Sequence, residues 1–256
     1  MITVGIDVGS ITTKAVLLND TTWQSLLLPT GCSPRDAGKS VFEQILDRAS
    51  LSPADVDYVV GTGYGRISLP FIDKALTEIT CHARGALHQV NGTDMVIDIG
   101  GQDSKVIMID EQGRVINFAM NDKCAAGTGR FLQVMAAALG ADVSELADLA
   151  RGAEPVQISS MCTVFAESEV VSLLAQGVPK ERIIAGIHRS VAGRVASMAE
   201  RLGRGKRITF TGGVARNDGV REFLARELGR EVTVAPEPQM AGAIGAALLA
   251  RDRCKH

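Results

Sequence analysis

The sequence predicts an α/β fold of two similar lobes with a binding cleft between them. The prediction depends on one pattern that occurs twice, in residues 7–14 and again 91 positions later in residues 98–105. In each copy an aspartate ends an apolar run, a glycine turn with small polar residues follows, and a lysine stands seven positions after the aspartate. Each copy predicts a strand, a tight turn and a returning strand. A chain of 256 residues is long enough to build a core around both copies.

The rest of the chain predicts further strands and helices around these two blocks. In the first lobe, residues 1–92, apolar spacing predicts helices over residues 35–49 and 72–87. In the second lobe, residues 93–256, helices are predicted over residues 130–139, 143–150, 163–176, 183–202 and 220–228. No low-complexity linker separates the lobes, so we expect their boundary to be a cleft.

Composition argues against several classes of function. Lys and Arg number 27 against 29 Asp and Glu, and the net charge of −2 without long charged runs argues against nucleic-acid or membrane-surface partners. There is no secretory signal and no apolar run near the roughly 18 residues that span a bilayer, so we expect a cytoplasmic protein. The five cysteines are widely spaced without a C-x-x-C pair, which argues against disulfides. We expect Cys32, Cys81 and Cys254 to be packing or surface thiols.

The two repeated turns have the composition of phosphate-binding loops. Glycine lets backbone N–H groups approach phosphate oxygens closely, and successive N–H groups form an anion-binding concavity. Asp7 and Asp98 are acceptor-only groups at strand ends, which suits them to hold Mg²⁺ through its retained waters. One such turn could be a simple hairpin, but two in register favour a nucleotide gripped from both sides. Neither a Walker A loop nor a dinucleotide fingerprint occurs.

A third glycine site lies at Gly212 and Gly213, between an apolar run at residues 207–211 and a predicted helix. A double glycine lets a flat group pack on the backbone, and the helix N-terminus favours anionic neighbours. Alone, such a turn is more often structural. After two phosphate loops it predicts an adenosine site, and the small-residue segment 239–247 predicts close helix packing beside it.

These three blocks, in this order, resemble the actin, hexokinase and heat-shock-protein ATPase superfamily. The resemblance covers nearly the whole chain. It implies two ribonuclease-H-like, actin-like lobes with ATP in the cleft between them, and a relative rotation of the lobes that follows the nucleotide state.

Two cysteines stand just ahead of predicted helices, Cys124 before residues 130–139 and Cys162 before residues 163–176. Helix N-termini favour the thiolate form of cysteine. A [4Fe–4S] cluster needs about four thiolates, and a twofold-symmetric dimer would supply two from each chain. On spacing alone, two buried packing thiols are the commoner interpretation.

Five longer motifs favour the cluster. They are N-D-K-C-A-A-G-T-G-R-F-L (121–132), M-C-T-V-F-A-E-S-E-V (161–170), V-I-D-I-G-G-Q-D-S-K-V-I (96–107), G-T-G-Y-G-R (61–66) and F-T-G-G-V (210–214). They closely resemble the activator component of 2-hydroxyacyl-CoA dehydratases, a family that also includes ATPase subunits of benzoyl-CoA reductases. The resemblance implies an oxygen-sensitive homodimer of anaerobic cytoplasm. Ferredoxin or flavodoxin would reduce its cluster, and ATP hydrolysis would drive one electron to an iron–sulfur dehydratase.

The resemblance also assigns residues. Cys124 and Cys162 are the implied cluster ligands, Asp7, Asp98 and Gln102 are the candidate catalytic residues, and Gln102 is expected to position the hydrolytic water. The implied contacts to ATP or ADP are Gly9, Ser10, Ile11, Thr12, Thr13, Lys14, Gly100, Gly101, Gln102, Gly127, Gly129, Gly212, Gly213, Asn217 and Gln239. Relatives often carry a small polar residue at position 11, so a contact of Ile11 would involve its backbone.

Three alternatives stay open. A small-molecule kinase of the same superfamily would transfer a phosphoryl group to an organic acceptor and would have no use for the two cysteines. An ATP-binding regulator would bind nucleotide without turnover or iron. Within the family, the partner could be a benzoyl-CoA reductase or another double-cluster reductase, which shared motifs do not distinguish.

Overall fold

The computed structural model describes residues 1–20, 22–160 and 162–254, which form two five-stranded sheets. The first contains β1 (Ile2–Val8), β2 (Thr12–Asn19), β3 (Thr22–Pro29), β4 (Tyr58–Thr62) and β5 (Lys74–Ala75), in the order β3-β2-β1-β4-β5. The second contains β6 (Met95–Ile99), β7 (Ser104–Ile109), β8 (Val115–Asn121), β9 (Ile208–Thr211) and β10 (Val232–Val234), in the order β10-β9-β6-β7-β8. Both sheets pair three antiparallel strands and then add two parallel ones. The predicted α/β fold of two similar lobes is confirmed.

The central strands β1 and β6 are aliphatic runs buried along almost their whole length, as expected for strands covered on both faces. Their hairpin partners explain the repeated interval in the sequence. Asp7 lies directly opposite Lys14 in the β1–β2 register, and Asp98 lies opposite Lys105 in the β6–β7 register. The seven-residue spacing therefore places an aspartate and a lysine side by side at the open end of each hairpin.

Eight α-helices connect and cover the sheets in the described chain. They are α1 (Pro34–Ala49), α2 (Glu78–Gln89), α3 (Gly129–Leu139), α4 (Leu146–Leu149), α5 (Thr163–Ala175), α6 (Lys180–Leu202), α7 (Asp218–Leu228) and α8 (Ala241–Cys254). Five of the predicted helices are confirmed to within three residues, and Gly140 and Gly203 follow α3 and α6 with positive φ, as glycine stop signals should. No helix in the described residues is long and apolar enough to cross a bilayer.

Two helix predictions were too long. The helix expected from residue 72 begins only at Glu78, because Thr77 caps it by accepting a hydrogen bond from the Thr80 amide at 3.2 Å. The segment before the cap contains the short edge strand β5. The helix expected over 143–150 is the four-residue α4, because Asp142 accepts a hydrogen bond from the Ser144 amide at 2.8 Å and forms a turn there instead.

The last helix returns to the first sheet. Ile244, Ala247 and Leu248 of α8 pack with Val16 of β2, and α8 also lies against β1, β4 and α2. The second sheet is covered by α6, whose predicted apolar face is buried in the larger core. The lobe boundary expected between residues 92 and 93 stays a prediction, since α8 follows the second sheet in sequence but covers the first.

Helices α2 and α8 touch through their backbones. A Cβ on Gly85 would stand 1.9 Å from the Ala241 carbonyl oxygen, and one on Gly245 would stand 1.8 Å from the Cys81 carbonyl oxygen. Only glycine permits such an approach. The close packing predicted for the small-residue segment 239–247 is therefore confirmed, and its partner is the helix that links the two sheets.

Candidate functional site

The two repeated turns face one cavity of about 690 Å³. The β1–β2 turn lines one side, the β6–β7 turn another, and the Gly212–Gly213 turn a third. A cavity of this size suits a small ligand or cofactor. The sequence-predicted residues that line it are Asp7, Gly9, Ser10, Ile11, Thr12, Lys14, Asp98, Gly100, Gly101, Gln102, Gly129, Gly212, Gly213, Asn217 and Gln239.

Two predicted nucleotide residues do not line this cavity. Thr13 is fully buried, and its hydroxyl lies 2.9 Å from that of Thr30, which in turn donates to the Gly9 carbonyl at 2.7 Å. Thr13 therefore supports the first loop from behind. Gly127 has a φ of 85° and lies against the Arg194 side chain, so it shapes the turn that leads into α3.

The two phosphate-type loops have the same internal hydrogen bond and touch each other. The Gly9 amide donates to the Thr12 carbonyl at 3.1 Å, and the Gly100 amide donates to the Asp103 carbonyl at 2.9 Å. A Cβ on Gly101 would stand 2.4 Å from Cδ1 of Ile11. The Ile11 side chain thus packs on the opposite loop, which explains an apolar residue at this position.

Asp98 is the most heavily contacted carboxylate of the site. It is 2% exposed, accepts a hydrogen bond from the Thr211 hydroxyl at 2.9 Å, and lies 3.4 Å from Lys105 Nζ and 3.1 Å from His82 Nδ1. Burial by itself raises the pKa of Asp98, but His82 and Lys105 hold that pKa well below its usual range. Asp98 is therefore an ionised acceptor inside the cavity.

The two lysines of the repeat have different surroundings. Lys105 Nζ lies 2.8 Å from Asp103 and 2.9 Å from Glu78 in addition to Asp98. Burial lowers the pKa of Lys105, but these three carboxylates raise it above its usual value. Lys14 makes one ion pair within the described residues, to Asp7 at 3.4 Å. Of the two, Lys14 is the cation better placed for a phosphate.

The structure extends the duplication to a second pair of turns, whose equivalence sequence reasoning missed. Thr62 ends β4 and Gly63 follows it, as Thr211 ends β9 and Gly212 follows it, and the two glycines have φ values of 85° and 87°. A Cβ on Gly63 would stand 2.5 Å from Asp7 Oδ1, and one on Gly212 would stand 2.9 Å from Asp98 Oδ1. The repeated Thr-Gly pair was the signal available in the sequence.

Other residues that line the cavity were given no role from the sequence. Tyr64, which is 76% exposed, lines the cavity from the turn after β4. Glu78 and His82 reach it from α2. The residues that line the cavity near α3 and α4 are Leu132, Gln133, Asp142, Val143 and Ser144.

Asn217, which lines the cavity near Gly212 and Gly213, is held in one orientation. Its Oδ1 accepts a hydrogen bond from the Val220 amide at 3.0 Å and so caps α7. Its Nδ2 therefore donates to Nε2 of His188, 3.2 Å away on α6. Burial lowers the pKa of His188 to about 4, so the ring is neutral and accepts this hydrogen bond.

Replacement of His188 by glutamine should flatten the acid dependence of stability. The pKa of His188 is about 4 when folded and about 6.5 when unfolded, so its stabilising effect is complete above pH 6.5 and is lost as the pH falls toward 4. The loss should total about 3 kcal/mol. Urea unfolding of wild type and His188→Gln between pH 7 and 4.5 measures it. Glutamine keeps a hydrogen-bond acceptor for Asn217. If the free energy of unfolding had the same pH dependence in both proteins, the lowered pKa of His188 would be contradicted.

The two candidate cluster cysteines lie outside the cavity. Cys162 is exposed and is the N-cap residue of α5, as predicted. Cys124 is half-buried and precedes the N-cap of α3 by four residues, because a turn at Gly127 intervenes. The Asn121 amide holds that turn by donating to the carbonyls of Cys124 and Ala126 at 2.9 and 3.1 Å.

The donor set fits half of a four-thiolate site. Both cysteines are free, Cys162 is exposed and Cys124 is half-buried, and α3 and α5 pack against each other. In residues 1–20, 22–160 and 162–254 no three His, Cys, Asp or Glu side chains group as a metal site. Met161, which belongs to the motif around Cys162, lies outside these ranges.

Glu169 fixes the segment ahead of Cys162. Its two carboxylate oxygens accept hydrogen bonds from the Ser159 and Ser160 amides, both at 2.9 Å. The slight burial of Glu169 raises its pKa, but these hydrogen bonds lower it overall. These two hydrogen bonds join the chain before Cys162 to the second turn of α5.

The segment that carries Cys124 is tied to the second phosphate-type loop. At the start of α3, the Gly129 amide donates to the Gly100 carbonyl at 2.9 Å and the Arg130 amide donates to the Gly101 carbonyl at 2.8 Å. A movement of the loop at Gly100 and Gly101 would therefore move the first turn of α3 with it.

Comparison with known proteins identifies this architecture. The sequence profile of the BadF/BadG/BcrA/BcrD ATPase family matches residues 4–250. The chain belongs to this family. Membership in an ATPase family means that the chain binds and hydrolyses ATP.

Relatives in the family are similar over their full length. The activator of lactoyl-CoA dehydratase of Anaerotignum propionicum is 48% identical over 98% of both chains. Component A of the Acidaminococcus fermentans (R)-2-hydroxyglutaryl-CoA dehydratase superposes with a TM-score of 0.95 at 46% identity over 100% of both chains. The activator of the 2-hydroxyisocaproyl-CoA dehydratase from Clostridium difficile, solved with bound ADPNP, gives 0.91 at 45% identity over 100% of this chain and 96% of its own.

Proposed function

We propose that the protein is an ATP-dependent activator that passes one low-potential electron from a [4Fe–4S] cluster, shared by two copies of the chain, to a 2-hydroxyacyl-CoA dehydratase. The observation that carries the proposal is the pair of hydrogen bonds between the Gly100–Gly101 carbonyls and the start of α3. They join an ATPase cleft to a segment with a free thiol. A small-molecule kinase would have no use for such a connection.

Cys124 and Cys162 of each chain would hold the cluster. When bound, the cluster would supply one-electron redox chemistry at low potential. The chain's own part is to present the two thiols. Asn121 fixes the Cys124 turn, and Glu169 fixes the segment ahead of Cys162. Cys162 is the N-cap residue of α5, where the helix N-terminus carries a partial positive charge.

In the cleft, Asp7 and Asp98 would hold Mg²⁺ through its waters, since both are acceptor-only groups at equivalent strand ends. Lys14 and the amides of the two glycine loops would bind the phosphates. Gln102, next to Gly101 on the cavity wall, would orient the water that attacks the terminal phosphate.

ATP hydrolysis would drive electron transfer and would not phosphorylate an organic acceptor. Moving one electron uphill by 100 mV costs about 2.3 kcal/mol, so a change of nucleotide state that moves the second loop and α3 has a clear use. A reduced ferredoxin or flavodoxin would reload the cluster, and an exposed cluster between two chains suits an anaerobic cytoplasm. Neither nucleic acid nor a membrane surface is a proposed partner.

Reconstitution with a purified dehydratase tests the function. The protein is purified without oxygen and then mixed with dithionite, MgATP and the dehydratase of a relative. This mixture should convert the 2-hydroxyacyl-CoA to the enoyl-CoA, and ADP in place of ATP should abolish the conversion. If the protein activated only a benzoyl-CoA reductase, its partner would be that reductase and not a dehydratase. Phosphorylation of an added sugar or acid by an iron-free protein would overturn the proposal in favour of a kinase.

A further inference from the structure

His82 occupies a position that none of the roles above explains. It lies on α2, is 6% exposed, and lines the ATP cavity. Its Nδ1 lies 3.1 Å from Asp98 Oδ1, in a charge contact rather than an aligned hydrogen bond. A ring that only filled space at a buried position would be apolar, because an unpaired polar group costs about 1–3 kcal/mol there.

The other side of the ring faces the carboxylate of the first sheet. The point where a Cβ on Gly242 would stand is 2.8 Å from Asp7 Oδ2 and 2.9 Å from His82 Nε2. Both atoms therefore border the same small space beside α8, and glycine at position 242 leaves it open. His82 therefore lies between Asp7, near the end of β1, and Asp98, near the end of β6.

The ring is held by a rigid support. Helix α2 carries His82 directly after Cys81, whose carbonyl marks the point where α2 and α8 touch at Gly245. The same helix carries Glu78, which lies 2.9 Å from Lys105. A side chain where α2 and α8 cross is placed relative to both sheets at once. Lys105 and Thr211, the other side chains paired with Asp98 in the described residues, belong to the second sheet.

We infer that His82 is a positioning residue for ATP hydrolysis, which sets the separation of the Asp7 and Asp98 carboxylates across the cleft. The inference rests on the proposed roles of these two aspartates. With His82 in place, both carboxylates face the metal and phosphates together. Without it, Asp98 keeps Lys105 and Thr211 as partners, but its distance from Asp7 is no longer fixed.

Three substitutions of His82 separate positioning from packing. Leucine keeps the bulk and removes both nitrogens, asparagine keeps a donor near the place of Nδ1, and glutamine keeps one near Nε2. The control is His88→Asn on the same helix, where the ring contacts Trp23 outside the cavity.

We expect His82→Leu to lower kcat for ATP hydrolysis about 100-fold, the usual effect of a misplacement of about 1 Å. ADP affinity should stay within about twofold, and His82→Asn should recover about tenfold of the loss. Steady-state ATPase assays, ADP titration calorimetry and thermal unfolding of the intact protein give the three readouts. A wild-type kcat in His82→Leu, or equal losses of kcat and ADP affinity with a lower melting temperature, would overturn the inference.

A second variant alters the space between Asp7 and His82 without replacing a polar side chain. Gly242→Ala inserts a methyl group between Asp7 Oδ2 and His82 Nε2, and kcat should fall by about the same factor. Gly193→Ala on α6, where a Cβ meets nothing within 4 Å, should leave kcat unchanged. The kcat measurements on the His82 and Gly242 variants need no dehydratase. A failure of the electron-donor proposal would be seen as missing iron, and a failure of the His82 proposal would be seen as an unchanged kcat, so the two are distinguishable.

Discussion

Replacing Cys124 with serine is expected to abolish iron binding, from about four irons per dimer in the wild type to less than one. A serine hydroxyl is not ionised at neutral pH and does not replace a thiolate as an iron ligand. In a shared site, each substitution removes two of the four ligands because it occurs in both chains. Iron and acid-labile sulfide, measured on protein purified without oxygen, give the result directly.

The matched control for this variant is Cys32→Ser. Cys32 is exposed, as Cys162 is, but it precedes α1 on the first lobe and has no helix-start cysteine beside it. It should keep all of the iron, whereas Cys162→Ser should behave like Cys124→Ser. Full iron content in both of those variants, or an iron-free wild type that still binds ATP as a dimer, would eliminate the cluster.

Replacing Gly245 with alanine is expected to lower the free energy of unfolding by about 3 kcal/mol, and the melting temperature by roughly 10 °C. The new methyl group would stand 1.8 Å from the Cys81 carbonyl oxygen. No rotamer relieves a clash between Cβ and backbone, so α8 must move away from α2. Because α8 also covers β1 and β4, the shift exposes apolar surface of the first sheet.

Gly193→Ala is again the control, because it makes the same change inside a long helix with open space around it. It should stabilise the protein by up to about 1 kcal/mol through helix propensity alone. Urea unfolding of the two variants measures the difference. If Gly245→Ala were as stable as Gly193→Ala, the backbone contact between α2 and α8 would be wrong.

The local part of the site could be predicted from the sequence. The Asp-to-Lys interval fixed both hairpins, because direct opposition in an antiparallel pair depends only on turn length and register. Side chains alternate along β2, so Thr12 and Lys14 share the cavity face and Thr13 must point the other way, as it does toward Thr30.

The long-range part of the site could not be predicted in this way. Lys105 has the same place in its hairpin as Lys14, yet it is buried among three carboxylates because α2 brings Glu78 over it. His82 reaches the cavity for the same reason. No periodicity in the sequence predicts that α2 passes close to Asp7 and Asp98. The position of α2 depends on how the two sheets are placed against each other.

The return of α8 to the first sheet also has a consequence for how the chain is made. During synthesis, β1, β2 and β4 emerge early, but the face that α8 covers stays open until residues 241–254 have been added. At 5–20 residues per second, that interval is on the order of ten seconds or more. Nascent chains stalled before residue 241 should therefore expose an uncovered apolar sheet face to the chaperones that meet them at the ribosome.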